Sequence, residues 1–190
     1  QAGGLSMQAS SNCDGAAWPG FALGALWHHR LKTSGYAKAI AKQEKVSQIM
    51  IDDAFTAGLL HDIGLLLLAS NMPEDYKRVL AVQKEKALLD WQAEQEVFGV
   101  THAEVGAYLL SLWGVGEAIV ESVAFHHRPS ACGELAFSPL TAVHVANAIA
   151  ESENSAGGEG QSVQIDEAYL TKLGKLDQLA AWKEACQSDE

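Results

Sequence analysis

The chain has 190 residues, 48% of them hydrophobic, which is enough for one domain with a substantial core and no need of covalent staples. Its 24 acidic and 13 basic residues leave a formal net charge of -11, so it offers no electrostatic footprint for direct nucleic acid binding or for an anionic membrane. The three cysteines, Cys13, Cys132 and Cys186, stand far apart in no CxxC pattern, which argues against a disulfide framework, a thiolate zinc site or attached haem and fits a reducing cytoplasm.

Residues 1–16, rich in Gly and Ser without periodicity, read as a poorly ordered lead-in or the remnant of a preceding helix. The chain opens without Met, carries no basic-then-apolar secretory signal, and reads as a fragment of a longer protein. From Phe21 to about Lys42 the stripe Ala22, Ala25, His29, Thr33, Tyr36, Ile40 has helical spacing and turns His29 inward, while His28 falls on a more polar face. The charged link KQEK follows. The stretch from Asp53 to Ser70, DAFTAGLLHDIGLLLLAS, is then apolar almost throughout, which predicts one helix buried all round with Asp52 or Asp53 as its cap. His61 and Asp62 interrupt it near the middle, so neither side is long enough to span a bilayer. Both are expected in the interior, where an ionised carboxylate is costly unless it is paired, hydrogen-bonded or bound to metal. Neighbours on a helix diverge by about 100°, so each is expected to look to groups on other helices.

Pro73 opens a further helix, and a short one from Asp90 to Phe98 ends at Gly99, with charge mainly outside in both. Thr101-His102-Ala103-Glu104 has capping-box spacing and predicts a helix from Thr101 to Trp113 with His102 in its first turn. Gly106, one turn on, mirrors Gly58 and Gly64 on either side of His61; small residues there would let another helix or a bound group approach the histidines. The segment EAIVESVAFHHRP is a helix stopped by Pro129, with His126 and His127 in its last turn. Ser138-Pro139 starts another, whose stripe Leu140, Val143, His144, Asn147 turns the Asn147 amide to the core. Residues 151–161 read as a polar, Gly-rich loop, followed by two amphipathic helices broken near Gly174 and expected on the outside of the bundle. No strand is required. The domain thus divides into a core of residues 21–150, a loop of 151–164 and C-terminal helices over 165–187, all within a single unit of 17–190.

Any one of these histidines has an ordinary reading as a hydrogen-bonded core residue. Together, His29, His61-Asp62, His102 and His126-His127 lie on four helical segments near core faces. Imidazoles and a carboxylate converging from different helices are how a bundle builds a site for one or two first-row metal ions, with the carboxylate bridging.

The order His, His-Asp, His, His-His, and the phrases AGLLHDIGLLLLA, FGVTHAEVGAYLLSLWGV, AFHHRP and LTAVHVANAIA, resemble the HD superfamily of metal-dependent phosphohydrolases. The wording is closer to its signalling branch, the HD-related output domain (HDOD), over about Phe21 to Ala150. The resemblance implies an all-α, HD-domain-like helical bundle. It also implies metal ligation by His29, His61, Asp62, His102, His126 and His127, with Asp62 as the bridge and one or two divalent ions (Fe, Mn or Zn) as cofactor. The ligand that closes the site in active members is an aspartate, and Asn147 stands in its place here, which weakens the grip on metal. Leu65 follows HDIG where the HD-GYP branch has Lys, Arg30 stands where the family often has Ser, and Gly116 replaces a common Pro. The N-terminal helical part usual in HDOD domains is not recognisable, so the chain resembles the HD-like portion.

Two functions follow from the resemblance. In a hydrolase, metal-activated water would attack a nucleotide or other small phosphoester, with Asp62 and His61 as the catalytic residues. In a bacterial signalling module, the cluster would be retained or vestigial and the domain would bind other signalling domains or proteins; Leu65, Asn147 and the acidic composition favour this second function. An iron-based sensor is a third. Loss of metal-dependent turnover in Asp62→Ala separates the first from the second.

Overall fold

The structure, a computed structural model, describes residues 23–133, 135–155 and 164–188. The expectations for residues 1–16, Cys13 and the later part of the 151–161 loop therefore lie outside the described residues. Ten α-helices form the described chain: α1 (Leu23–Gln43), α2 (Gln48–Leu60), α3 (Ile63–Asn71), α4 (Pro73–Lys86), α5 (Asp90–Phe98), α6 (His102–Leu112), α7 (Glu117–Phe125), α8 (Pro139–Ser155), α9 (Glu167–Lys172) and α10 (Leu179–Ser188). Two 3₁₀ turns, Pro129–Ala131 and Leu176–Gln178, join them, and there is no strand among the described residues.

Local chemistry accounts for several helix ends. Gly99 leaves α5 in the left-handed conformation, φ 72°. Thr101 starts α6 with a reciprocal capping box: its hydroxyl accepts the Glu104 N–H at 3.2 Å, and Glu104 Oε2 accepts the Thr101 N–H at 2.8 Å. Two expectations about caps fail. Ser47, rather than Asp52 or Asp53, caps α2 by accepting the Met50 N–H at 3.3 Å, because the helix begins five residues earlier than the apolar run suggests. The Ser138 hydroxyl has no partner ahead of α8.

The main core lies between α1, α2, α8, α9 and α10 and includes Tyr36, Ile40, Ile51, Val143, Ile149, Leu170 and Trp182. A second cluster, with Leu65, Leu68, Ala69 and Tyr76, joins α3 to α4, and a third, with Ala107, Leu110 and Val123, joins α6 to α7. The C-terminal helices are therefore not an outer layer. Trp182 is fully buried against α1, and its Nε1–H donates to Glu44 Oε1 at 3.1 Å, so α10 closes the main core. Helix α8 carries on through Ser155, into the stretch from 151 that is expected to be loop.

The predicted single central helix is two. It breaks at His61-Asp62, where Asp62 leaves helical geometry at φ -99°, ψ 17°. Nor is it buried all round, because Asp52 and Phe55 reach solvent. Helices α2 and α3 instead carry the two histidine-flanking glycines into contacts with neighbouring backbone. A Cβ on Gly58 would stand 2.8 Å from Ser34 Cα, and one on Gly64 2.7 Å from Gly106 N. The small residues thus serve helix crossings rather than leaving room for a bound group.

Candidate metal centre

The break in the central helix is what aims His61 and Asp62 at one point. Off the regular helix their side chains no longer diverge, and His61 Nε2 lies 3.2 Å from Asp62 Oδ2, against the expectation that each would look only to other helices. Arg30, buried on α1, donates from Nη2 to the Asp62 backbone carbonyl and holds the break. The Arg30 guanidinium is thus directed at backbone.

Around Asp62 the ligand candidates form two sets. On the Oδ2 side stand His61 Nε2 and, at 4.0 Å, His29 Nε2 from α1. On the Oδ1 side stand His102 Nε2 at 3.4 Å, from the first residue of α6, and His126 Nε2 at 3.9 Å, from the end of α7. His127 Nε2 lies 2.9 Å from His102 Nε2, and Asn147 Oδ1 from α8 lies 2.9 Å from His29 Nε2. All seven residues singled out in the sequence are brought together.

The imidazoles are oriented through their far nitrogens. His61 Nδ1–H donates to the Gly58 carbonyl at 2.7 Å, and His126 Nδ1–H to the Val123 carbonyl at 2.8 Å, each one turn back along its own chain. These bonds leave Nε2 of both rings as a lone pair facing Asp62. Both Nε2 atoms are fully buried and have no hydrogen-bond partner. Orphaned buried acceptors are uncommon in native interiors, and two of them aimed at one carboxylate fit a bound cation. The 2.9 Å between His102 Nε2 and His127 Nε2 is also the spacing of donors about 90° apart on one ion with metal–nitrogen bonds of about 2.0–2.1 Å. The donor set, imidazole nitrogens with one carboxylate, suits iron, manganese or zinc.

Electrostatics follow from burial. Burial works against an ionised Asp62, but the histidines around it, His61 first, then His102 and His29, hold its carboxyl well below the usual range. Burial pushes His29, His126 and His127 down; for His126 and His127 the neighbouring histidines add to it, while Asp62 partly opposes. His102 is the exception. Burial lowers it too, but the Glu94 carboxylate, by charge and hydrogen bond, together with Asp62 and Asp90 pushes it up to about 9.

Two contributors escape a reading of the sequence. Glu94 sits on α5, where charge is expected outside, yet it is fully buried and accepts both the backbone N–H and the Nδ1–H of His102 at 2.7 Å. In DWQAEQEVF no periodicity marks it off from Glu96, which is exposed. His144 lies on a core stripe that by itself suggests no role; its Nδ1–H donates to the His126 carbonyl at 2.7 Å, and its Nε2 accepts the Asp166 N–H at 2.8 Å. It ties the end of α7 to the start of α9.

The HDOD domain family model matches residues 5–129. A Treponema pallidum (strain Nichols) protein described as uncharacterized is 30% identical over 103 residues, which are 54% of this chain and 20% of that protein. A Shewanella amazonensis SB2B crystal structure, provisionally described as a phosphohydrolase, superposes with a TM-score of 0.69 at 21% identity, covering 91% of this chain and 62% of its own. An HDOD domain protein of unknown function from Geobacter sulfurreducens does so with a TM-score of 0.61 at 22% identity, over 87% and 62%. The MmoQ response regulator of Methylococcus capsulatus str. Bath gives 0.58 at 25% identity, over 86% and 61%. The chain thus spans a fifth of the curated relative and under two thirds of each of these structures. No single helix among the described residues is long and apolar enough to cross a membrane.

Proposed function

Because the chain belongs to the HDOD domain family, we propose that it is a signal-transduction output or regulatory domain of a bacterial protein, built around a buried centre for one or two divalent ions, and that this centre is not hydrolytic. The observation that carries the metal is the pair of buried, unpartnered Nε2 atoms of His61 and His126 directed at Asp62. His29, His61, Asp62, His102, His126 and His127 would hold it. When bound, such ions supply Lewis-acid polarisation and charge neutralisation.

Several features of this chain's own residues speak for regulation over turnover. The side chains of His29 and Asp62 are 12% and 11% exposed, and those of His61, His102 and His126 less, so a phosphoester has little access. Leu65 packs in the α3–α4 cluster, and Arg30 is turned to the Asp62 carbonyl, so neither offers a cation to a phosphate. The occupants of the domain's surface would be other signalling domains or proteins. The MmoQ neighbour, described as a response regulator, supports that setting.

Elemental analysis of freshly purified protein tests the centre. One or two equivalents of iron, manganese or zinc, lost in His61→Ala and in Asp62→Ala, is the expected result. Folded protein that is metal-free and takes up none on addition would overturn it. A phosphohydrolase is the second reading, favoured by the two oxygens of Asp62 facing separate histidine pairs, as a bridge between two ions would. Metal-dependent release of nitrophenol from bis(p-nitrophenyl) phosphate, abolished in Asp62→Ala, would establish it.

A further inference from the structure

Given that the cluster binds divalent metal, we propose that Glu94 is a positioning residue that makes the two sides of the centre unequal, so that the His102–His126–His127 side takes the first ion. Glu94 is 0% exposed, and one of its oxygens accepts two hydrogen bonds from His102. A buried carboxylate needs such compensation, and His102 supplies part of it through its backbone and its ring, with Tyr76 also bonded to Glu94. The bonds also fix His102. One clamps the first residue of α6, and the other sets the ring so that Nε2 faces Asp62.

The three anchored rings are not anchored alike. His61 and His126 donate Nδ1–H to neutral carbonyls, whereas His102 donates to an anion from a different helix. A carboxylate behind an imidazole raises its basicity toward a cation on the far side, which the carbonyls do more weakly. The Oδ1 side of Asp62 therefore has two carboxylates to balance an ion's charge, Asp62 itself and Glu94 through His102.

The opposite side is poorer on both counts. Its closing residue, Asn147, is neutral. Glu151 Oε1 accepts the Asn147 Nδ2–H at 3.4 Å, which leaves Oδ1 turned to His29. Oδ1 can only accept, so His29 Nε2 carries the proton of that 2.9 Å bond and must break it before it can serve as a ligand. Each side keeps one unpartnered Nε2, His61 here and His126 on the Oδ1 side, where His102 and His127 also share a bond, so the anion behind His102 and the neutral Asn147 are what set the two sides apart.

Zinc titration of the full chain against a chromophoric chelator, with Glu94→Gln, His127→Ala and His29→Ala alongside, tests the assignment. Glu94→Gln keeps size and an acceptor oxygen but removes the charge. It is expected to weaken the first zinc about ten- to a hundredfold, with the circular dichroism of the wild type. His127→Ala should weaken the first zinc and His29→Ala the second. In metal-free protein, a deshielded, exchange-protected imidazole N–H resonance should belong to His102 and move upfield in Glu94→Gln, a change that a purely structural role would not produce. First-zinc affinity unaltered in Glu94→Gln would overturn the proposal while leaving metal binding intact. Should Glu94→Gln not fold, the alanine pair decides: loss of the first ion in His29→Ala but not in His127→Ala would overturn it. A wild-type chain that takes up no zinc would overturn the metal centre and this proposal together.

Discussion

A Cβ placed on Gly64 would stand 2.0 Å from the carbonyl oxygen of His102, so α3 and α6 cross backbone to backbone beside the residues that feed the centre. Asp62 precedes α3 and His102 opens α6, and the crossing therefore sets the distance between these two residues of the cluster. The same contact ranks a series of substitutions.

Gly64→Ala is expected to destabilise at or above the upper end of the about 1–3 kcal/mol usual for overpacking, because the obstacle is backbone and cannot rotate away. Gly58→Ala, 2.8 Å from Ser34 Cα, should cost less. Gly106→Ala should cost least, since the nearest atom is an Ile63 methyl at 3.0 Å. Urea unfolding of the three variants checks the order. Gly64→Ala should also lower metal uptake, and an unaltered metal content would show that the crossing does not position His102.

Asn147→Asp places a carboxylate 2.9 Å from His29 Nε2, where a neutral amide now accepts its proton. The expected outcome is tighter binding at the His29–His61 side by about tenfold or more, read as a second equivalent in the zinc titration. Equal affinity in variant and wild type would show that charge at position 147 is not what limits that side.

Stability of the metal-free chain should peak near pH 6.5. Burial holds His29, His126, His127 and His144 below the ordinary histidine value of about 6.5, with the neighbouring histidines adding to it for His126 and His127. On acidification below 6.5 the unfolded chain binds protons that the native state refuses, and stability falls, by up to about 1.4 kcal/mol per pH unit for each group. His102 has the opposite sign. Its pKa is pushed up to about 9 by Glu94, together with Asp62 and Asp90, against burial, so its contribution is complete below 6.5 and is lost as pH rises through 9. Thermal unfolding in the presence of a chelator from pH 4 to 10 should give this bell; a Tm flat from pH 5 to 7 would contradict it.

Trp182→Ala should cost about 3–5 kcal/mol, the range for a large aromatic removed from a core. Trp182→Phe keeps most of the packing and loses the bond to Glu44, which is worth about 1.5–3 kcal/mol because the acceptor is charged. Metal content per folded chain should survive in both, since Trp182 touches none of the ligands named above. Denaturant unfolding beside elemental analysis separates the two effects, and a loss below 1 kcal/mol in Trp182→Ala would place α10 outside the core after all.

The sequence by itself carried the helical class, the family resemblance and all seven residues of the cluster. Helix ends were readable where one side chain or one φ decides them, as at Thr101 and Gly99. The clustered residues were readable because His and Asp inside apolar runs demand partners, and a demand of that kind is visible in one dimension. Tertiary structure decided what periodicity cannot express. The break at His61-Asp62 depends on Arg30 reaching the Asp62 carbonyl from another helix. The place of Trp182 depends on which amphipathic face finds a partner. Glu94 and Glu96 sit on one short polar helix, and only the arrival of His102 above Glu94 separates a buried anchor from a solvated charge, because burial is a property of neighbours that the chain itself does not order in sequence.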